Sequence, residues 1–103
     1  MVNEIKSDSE FATAVQGATL TVVDFIATWC GPCKFIAPKL DALAQEHPRV
    51  TFLKVDVDKF RKLMKEQSVT CMPTLLVFKY GQVLERVEGA NLDKIKEAIV
   101  KFQ

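Results

Sequence analysis

The chain has 103 residues, 49% of them apolar and 26% charged, with a net charge of +1. That length gives one domain spanning residues 1–103, and that apolar share gives it a core of its own. Charges of both signs are spread along the chain, which argues against a nucleic-acid or membrane-surface protein, and no stretch approaches the roughly 20 apolar residues of a membrane span.

The N-terminus is polar from Asn3 and does not read as a signal peptide; it also lacks the Arg-rich, acid-poor pattern of a transit peptide. Ser7 and Glu10 form a capping-box signature ahead of a short helix with Phe11, Ala14 and Val15 on one side, ending near Gly17. Leu20 to Ile26 is an apolar, β-branched run broken only by Thr21 and Asp24, the pattern of a buried strand.

The longest helix is expected from Gly31 or Pro32 to about Glu46. Cys33, Ile36, Ala37, Leu40, Leu43 and Ala44 recur on one face, and Pro38 should kink it. A second buried strand runs from Val50 to Val57. Asp58 then reads as the cap of a short helix that turns Phe60, Leu63 and Met64 inward. Thr74–Tyr80 and Val83–Val87 read as a hairpin joined at Gly81, and Asn91 caps a final helix with Leu92, Ile95, Ala98, Ile99 and Phe102 on its stripe. Strands separated by helices in the first half imply parallel pairing, and the hairpin adds an antiparallel pair. The expected architecture is α/β, a central mixed sheet of four to five strands flanked by helices on both faces.

Trp29-Cys30-Gly31-Pro32-Cys33-Lys34 falls between the first buried strand and the longest helix, where a C-x-x-C pair reads as a redox motif. Only a thiolate attacks a disulfide, and the unpaired N–H groups at a helix start favour one on Cys30. Pro32 suits the first turn, where its missing N–H costs nothing. Cys33 lies one turn on, on the apolar stripe, so burial should keep its pKa higher and divide the labour between an attacking and a resolving thiol. Zinc is the competing chemistry. One C-x-x-C pair with a distant Cys71 and a lone His47 lacks the second ligand pair of a closed site, so no metal is expected. No G-x-G-x-x-G or P-loop points to a bound nucleotide.

The run Val22-Val23-Asp24-Phe25 through Ala27-Thr28-Trp29-Cys30-Gly31-Pro32-Cys33-Lys34, followed by Ala37-Pro38, Lys54-Val55-Asp56, Met72-Pro73-Thr74, Gly81 and Gly89-Ala90, resembles the thioredoxin family over essentially the whole chain, in its eukaryotic cytosolic form. The resemblance implies the thioredoxin fold and a general protein disulfide reductase. It implies that Cys30 is nucleophile and Cys33 resolving thiol, that Asp24 exchanges a proton with Cys33, and that Lys54 pairs with Asp24 across adjacent strands. It further implies a cis Met72–Pro73 bond whose Met72 backbone meets an extended substrate. No bound cofactor is implied. Electrons would come from NADPH through a separate thioredoxin reductase, a flavoprotein. Implied targets are peroxiredoxins, methionine sulfoxide reductases and ribonucleotide reductase. The implied setting is cytoplasmic, with the nucleus open.

Several positions keep two readings. Asp24 is a buried acid–base group or a partly exposed strand residue; Lys54 is its partner or an exposed edge lysine. Trp29 is a lid on the active-site surface or core, Phe35 an apolar docking residue or a misjudged period. Gly89 permits close approach of a partner or simply turns the chain. Pro73 opens a strand, a position that turn placement alone would explain. Cys71 is a small buried hydrophobe or an exposed thiol that would link two otherwise monomeric chains on oxidation. A disulfide oxidase or isomerase on the same fold, or a binding module without turnover, are the functional rivals.

Overall fold

A computed structural model describes all residues 1–103. In chain order the elements are β1 (Val2–Glu4), α1 (Asp8–Gln16), β2 (Thr21–Ile26), α2 (Gly31–Glu46), β3 (Thr51–Asp56), α3 (Arg61–Glu66), β4 (Thr74–Lys79), β5 (Gln82–Glu88) and α4 (Leu92–Phe102). They form one five-stranded mixed sheet in the order β1-β3-β2-β4-β5. β1, β3 and β2 run parallel, and β4 and β5 are antiparallel to their neighbours. Parallel neighbours demand long crossovers, which α1 and α2 supply. β1 was not legible as a strand. Three residues at a sheet edge, with one half-buried side chain, give too short an alternation to read.

Alternation along the strands divides the core in two. Val23, Phe25, Leu53, Val55, Leu76 and Phe78 point to one face, under Phe11 and Val15 of α1 and Leu63 of α3. Val22, Phe52, Leu75, Val77 and Val87 point to the other, under Ile36, Leu40 and Leu43 of α2 and Ile95 and Ile99 of α4. Each layer sequesters large aliphatic and aromatic side chains, the dominant favourable term in folding.

Helix starts follow the expected chemistry with one exception. The Ser7 side chain accepts the Glu10 N–H at 3.2 Å, and the Glu10 carboxylate accepts from Lys6 N. Asn91 accepts the Lys94 N–H at 3.2 Å. Asp58 is not a cap: Phe60 occupies that position of α3, and no side chain bonds to the helix there. The Asp58 carboxylate instead accepts the indole N–H of Trp29 at 3.1 Å, a contact across 29 residues that local sequence does not display. α2 runs through Pro38 as one helix. The β4–β5 turn places both Tyr80 (φ 52°) and Gly81 (φ 77°) in the left-handed region, as a tight two-residue hairpin turn requires.

Candidate active site

The cysteines sit where strand β2 hands over to helix α2. Cys30 caps α2 with extended backbone, and its sulfur accepts the Cys33 N–H at 3.2 Å. Pro32 lies in the first turn, where a missing donor is harmless. Cys30 and Cys33 are joined in a disulfide with Cα atoms 5.3 Å apart. The expected contrast in burial is absent in this oxidised form, since Cys30 is 5% and Cys33 4% exposed. What distinguishes them is their surroundings: the Cys30 sulfur accepts the Cys33 N–H at the helix start, and Cys33 lines the cleft described next.

Asp24 is buried in the centre of β2, at 4% exposure, and its Oδ1 has no hydrogen-bond partner. Burial pushes its pKa up from 3.8 to about 7, and the positive charge of Lys54 opposes only part of that rise. Lys54 stands beside Asp24 in the parallel β2–β3 register. The pairing expected between them is looser than an ion pair, because no Lys54–Asp24 contact falls within 4.0 Å. Lys54 is half-buried, and a stem of that length lets the ammonium reach water. Asp24, Lys54 and Cys33 all line one cavity of about 310 Å³, together with Ile26, Ala27 and Ala37. Such a volume is roomy enough for water between the carboxyl and the sulfur.

The outer rim is apolar and open. Trp29 is 67% and Phe35 63% exposed, which removes the core reading of both. Gly31 and Pro32 are exposed between them. The Met72–Pro73 bond is cis, with Met72 half-buried and Pro73 buried. Cys71 is exposed, not a core residue. The carbonyls of this segment are tied back: Thr74 Oγ1 donates to Cys71 O at 2.6 Å and Gly89 N to Pro73 O at 2.8 Å. Gly89 takes φ +91°, a left-handed conformation that a side chain would strain, and a Cβ there would meet nothing within 4 Å. The turn reading of Gly89 accounts for its backbone, and the space beside it is open. No group of three or more His, Cys, Asp or Glu side chains is gathered to hold a metal ion.

The thioredoxin family model matches residues 2–101. Thioredoxin-1 of Saccharomyces cerevisiae is 46% identical over 99 residues, covering 96% of each chain. The chain belongs to the thioredoxin family. Among solved structures, a thioredoxin of Nicotiana alata superposes with a TM-score of 0.94 at 38% identity, covering 99% of this chain and 92% of that one. A second comes from work on the thiol-resolving mechanism of a yeast mitochondrial 1-Cys peroxiredoxin via glutathione and thioredoxin systems (TM-score 0.90, 37% identity, 97% and 94% covered). Thioredoxins are thiol–disulfide oxidoreductases that carry no cofactor, and family membership together with the Cys30–Cys33 pair makes this chain a protein disulfide reductase.

Proposed function

We propose that residues 1–103 act as one domain in which Cys30 is the nucleophile, Cys33 the resolving thiol and Asp24 the group that takes the Cys33 proton. The Cys30 thiolate attacks one sulfur of a partner's disulfide, forming a mixed disulfide and releasing the partner's first thiolate. Cys33, deprotonated, then attacks the Cys30 sulfur. The second partner thiolate leaves and the Cys30–Cys33 disulfide remains, two electrons having passed to the partner. The observation that carries this reading is the Cys30 sulfur on the Cys33 N–H at the start of α2, because backbone donors and the helix dipole stabilise an anion there. Asp24 supports the second step: its unpartnered oxygen and Cys33 open on one cavity, and a carboxyl titrating near 7 exchanges protons readily at neutral pH.

Trp29, Gly31, Pro32 and Pro73 frame the reacting sulfurs. The substrate chain docks across Trp29, the Met72 backbone and Gly89. Regeneration draws on NADPH through a separate thioredoxin reductase. Peroxiredoxins, methionine sulfoxide reductases and ribonucleotide reductase are the proposed targets, the first supported by the peroxiredoxin work that yielded the second structural relative. The proposed setting is cytoplasmic, with the nucleus included. The chain works as a monomer, and exposed Cys71 would permit an oxidised dimer.

Trapping tests the order of attack. With an oxidised protein substrate, Cys33→Ser should accumulate the mixed disulfide on non-reducing gels and Cys30→Ser should not. Trapping by Cys30→Ser alone overturns the assignment.

A further inference from the structure

The segment 67–73 leaves α3 and delivers Cys71, Met72 and Pro73 to the rim. Its end is fastened by Thr74 and Gly89; its start is held by backbone bonds to α3 (Gln67 N to Leu63 O, Ser68 N to Lys65 O and Val69 N to Met64 O, each 3.0 Å) and by one side chain from β5. Arg86 donates from Nη1 to Gln67 O at 2.9 Å and from Nη2 to Ser68 O at 2.5 Å. Its Nε donates to Glu88 Oε2 at 3.2 Å, which sets the plane of the guanidinium and leaves the two outer nitrogens to fork across consecutive carbonyls. Gln67 is the C-cap of α3, so the cation also sits at the negative end of that helix. Ser68 carries φ +55°, a conformation uncommon for a side-chain-bearing residue, and its carbonyl is one of the two held. Val69 is buried immediately after, and past Thr70 come Cys71, Met72 and Pro73 at the rim.

We infer that Arg86 is a positioning residue for substrate docking: it fixes the start of the 67–73 loop so that the Met72 backbone is presented to an extended partner chain at a set height above the disulfide. This rests on the proposed docking role of Met72. Neither reacting sulfur is touched by Arg86, so its effect falls on protein substrates that lie along the loop and spares small disulfides that meet only Cys30. A lysine can satisfy one carbonyl but cannot fork, so it restores part of the effect.

Arg86→Met and Arg86→Lys are compared with the unaltered protein. KM and kcat are read with insulin, and rates with the small disulfide 5,5′-dithiobis(2-nitrobenzoate). For Arg86→Met the insulin KM should rise roughly tenfold, the order expected for losing a charge-assisted fork. The kcat and the small-disulfide rate should be unchanged, and Arg86→Lys should fall between. An unchanged insulin KM in both variants overturns the inference, as does an equal loss on the small disulfide. If Arg86→Met does not fold, the lysine variant alone decides on the same readouts. Amide exchange of Met72 in the Cys33→Ser mixed disulfide separates the premises. A Met72 amide unprotected by bound substrate overturns the docking reading and this inference with it. Protection that is present and identical in the Arg86 variants overturns the inference alone.

Discussion

The two sides of the Cys30–Cys33 bond are built from opposite materials. Outside lie exposed, mostly apolar surfaces: Trp29, Phe35, Pro32 and the half-buried Met72. Inside lies a buried carboxyl with an unpartnered oxygen, a half-buried lysine and a cavity of about 310 Å³. The outer side has area to offer a partner and no buried acid or base. The inner side has a buried carboxyl in a cleft that exposed Thr28, Lys34 and Ala37 also line. On the proposed reading, recognition falls on one side of the disulfide and proton handling on the other, so changes on either side should produce different kinetic signatures.

The largest effect is expected inside. Asp24→Asn removes the base proposed for Cys33, so turnover should fall by about 100-fold, the low end for general acid–base catalysis because solvent can substitute in part. The rise in activity as pH passes through about 7 should vanish with it; an Asp24→Asn variant that keeps the inflection would assign it to another group. Stability moves the other way. The Asp24 pKa is raised on folding from 3.8 to about 7, so between those pH values the folded chain holds a proton that the unfolded chain has released. Stability from this residue is therefore fully present below pH 3.8, is lost as pH climbs toward 7, and stays lost above. The shift amounts to about 4 kcal/mol as an upper figure. Asp24→Asn should be more stable than the parent at pH 8 and show little of that slope, as denaturant titrations at pH 5 and pH 8 would read directly.

Outside, the expected loss is smaller and selective. Trp29→Ala should lower kcat/KM for a protein disulfide roughly tenfold, the scale of truncating an aromatic anchor, with little change for a small disulfide. The pH profile should be unaltered. A displaced profile would mean that the rim reaches the carboxyl after all and would break the separation.

Sequence displayed these two regions unequally. Asp24 is conspicuous because a carboxylate amid Val22, Val23, Phe25 and Ile26 has nowhere polar to go, and the helix start at Cys30 follows from Gly31-Pro32 and the apolar period behind them. Buried strands and capped helices are readable for the same reason, since each is a local pattern. The missing pieces depend on pairing between distant segments. Edge strand β1 exists only because Val2–Glu4 lies along β3. The looseness of Asp24 and Lys54 depends on side-chain reach, which adjacent strand register does not fix. Arg86 is the clearest case. The β4–β5 register shifts between Val77 and Phe78, and beyond that shift Arg86 lies opposite Leu76. Plain alternation from the hairpin turn would put it opposite Leu75, on the other face and away from α3.

The smallest expected effect lies at the junction of the two sides. Asp58, which caps no helix, holds the Trp29 indole N–H at 3.1 Å in an exposed position. A hydrogen bond of that kind contributes about 0.5–1.5 kcal/mol, so Asp58→Ala should cost roughly two- to tenfold in kcat/KM on a protein disulfide. Asp58→Asn keeps an acceptor oxygen and should lose less. The contact acts through Trp29 alone, so adding Asp58→Ala to Trp29→Ala should change nothing further, a full coupling in the double-mutant cycle. Independent, additive losses would mean that Asp58 meets the partner itself, placing a charge on the apolar rim and redrawing the outer side as mixed in character.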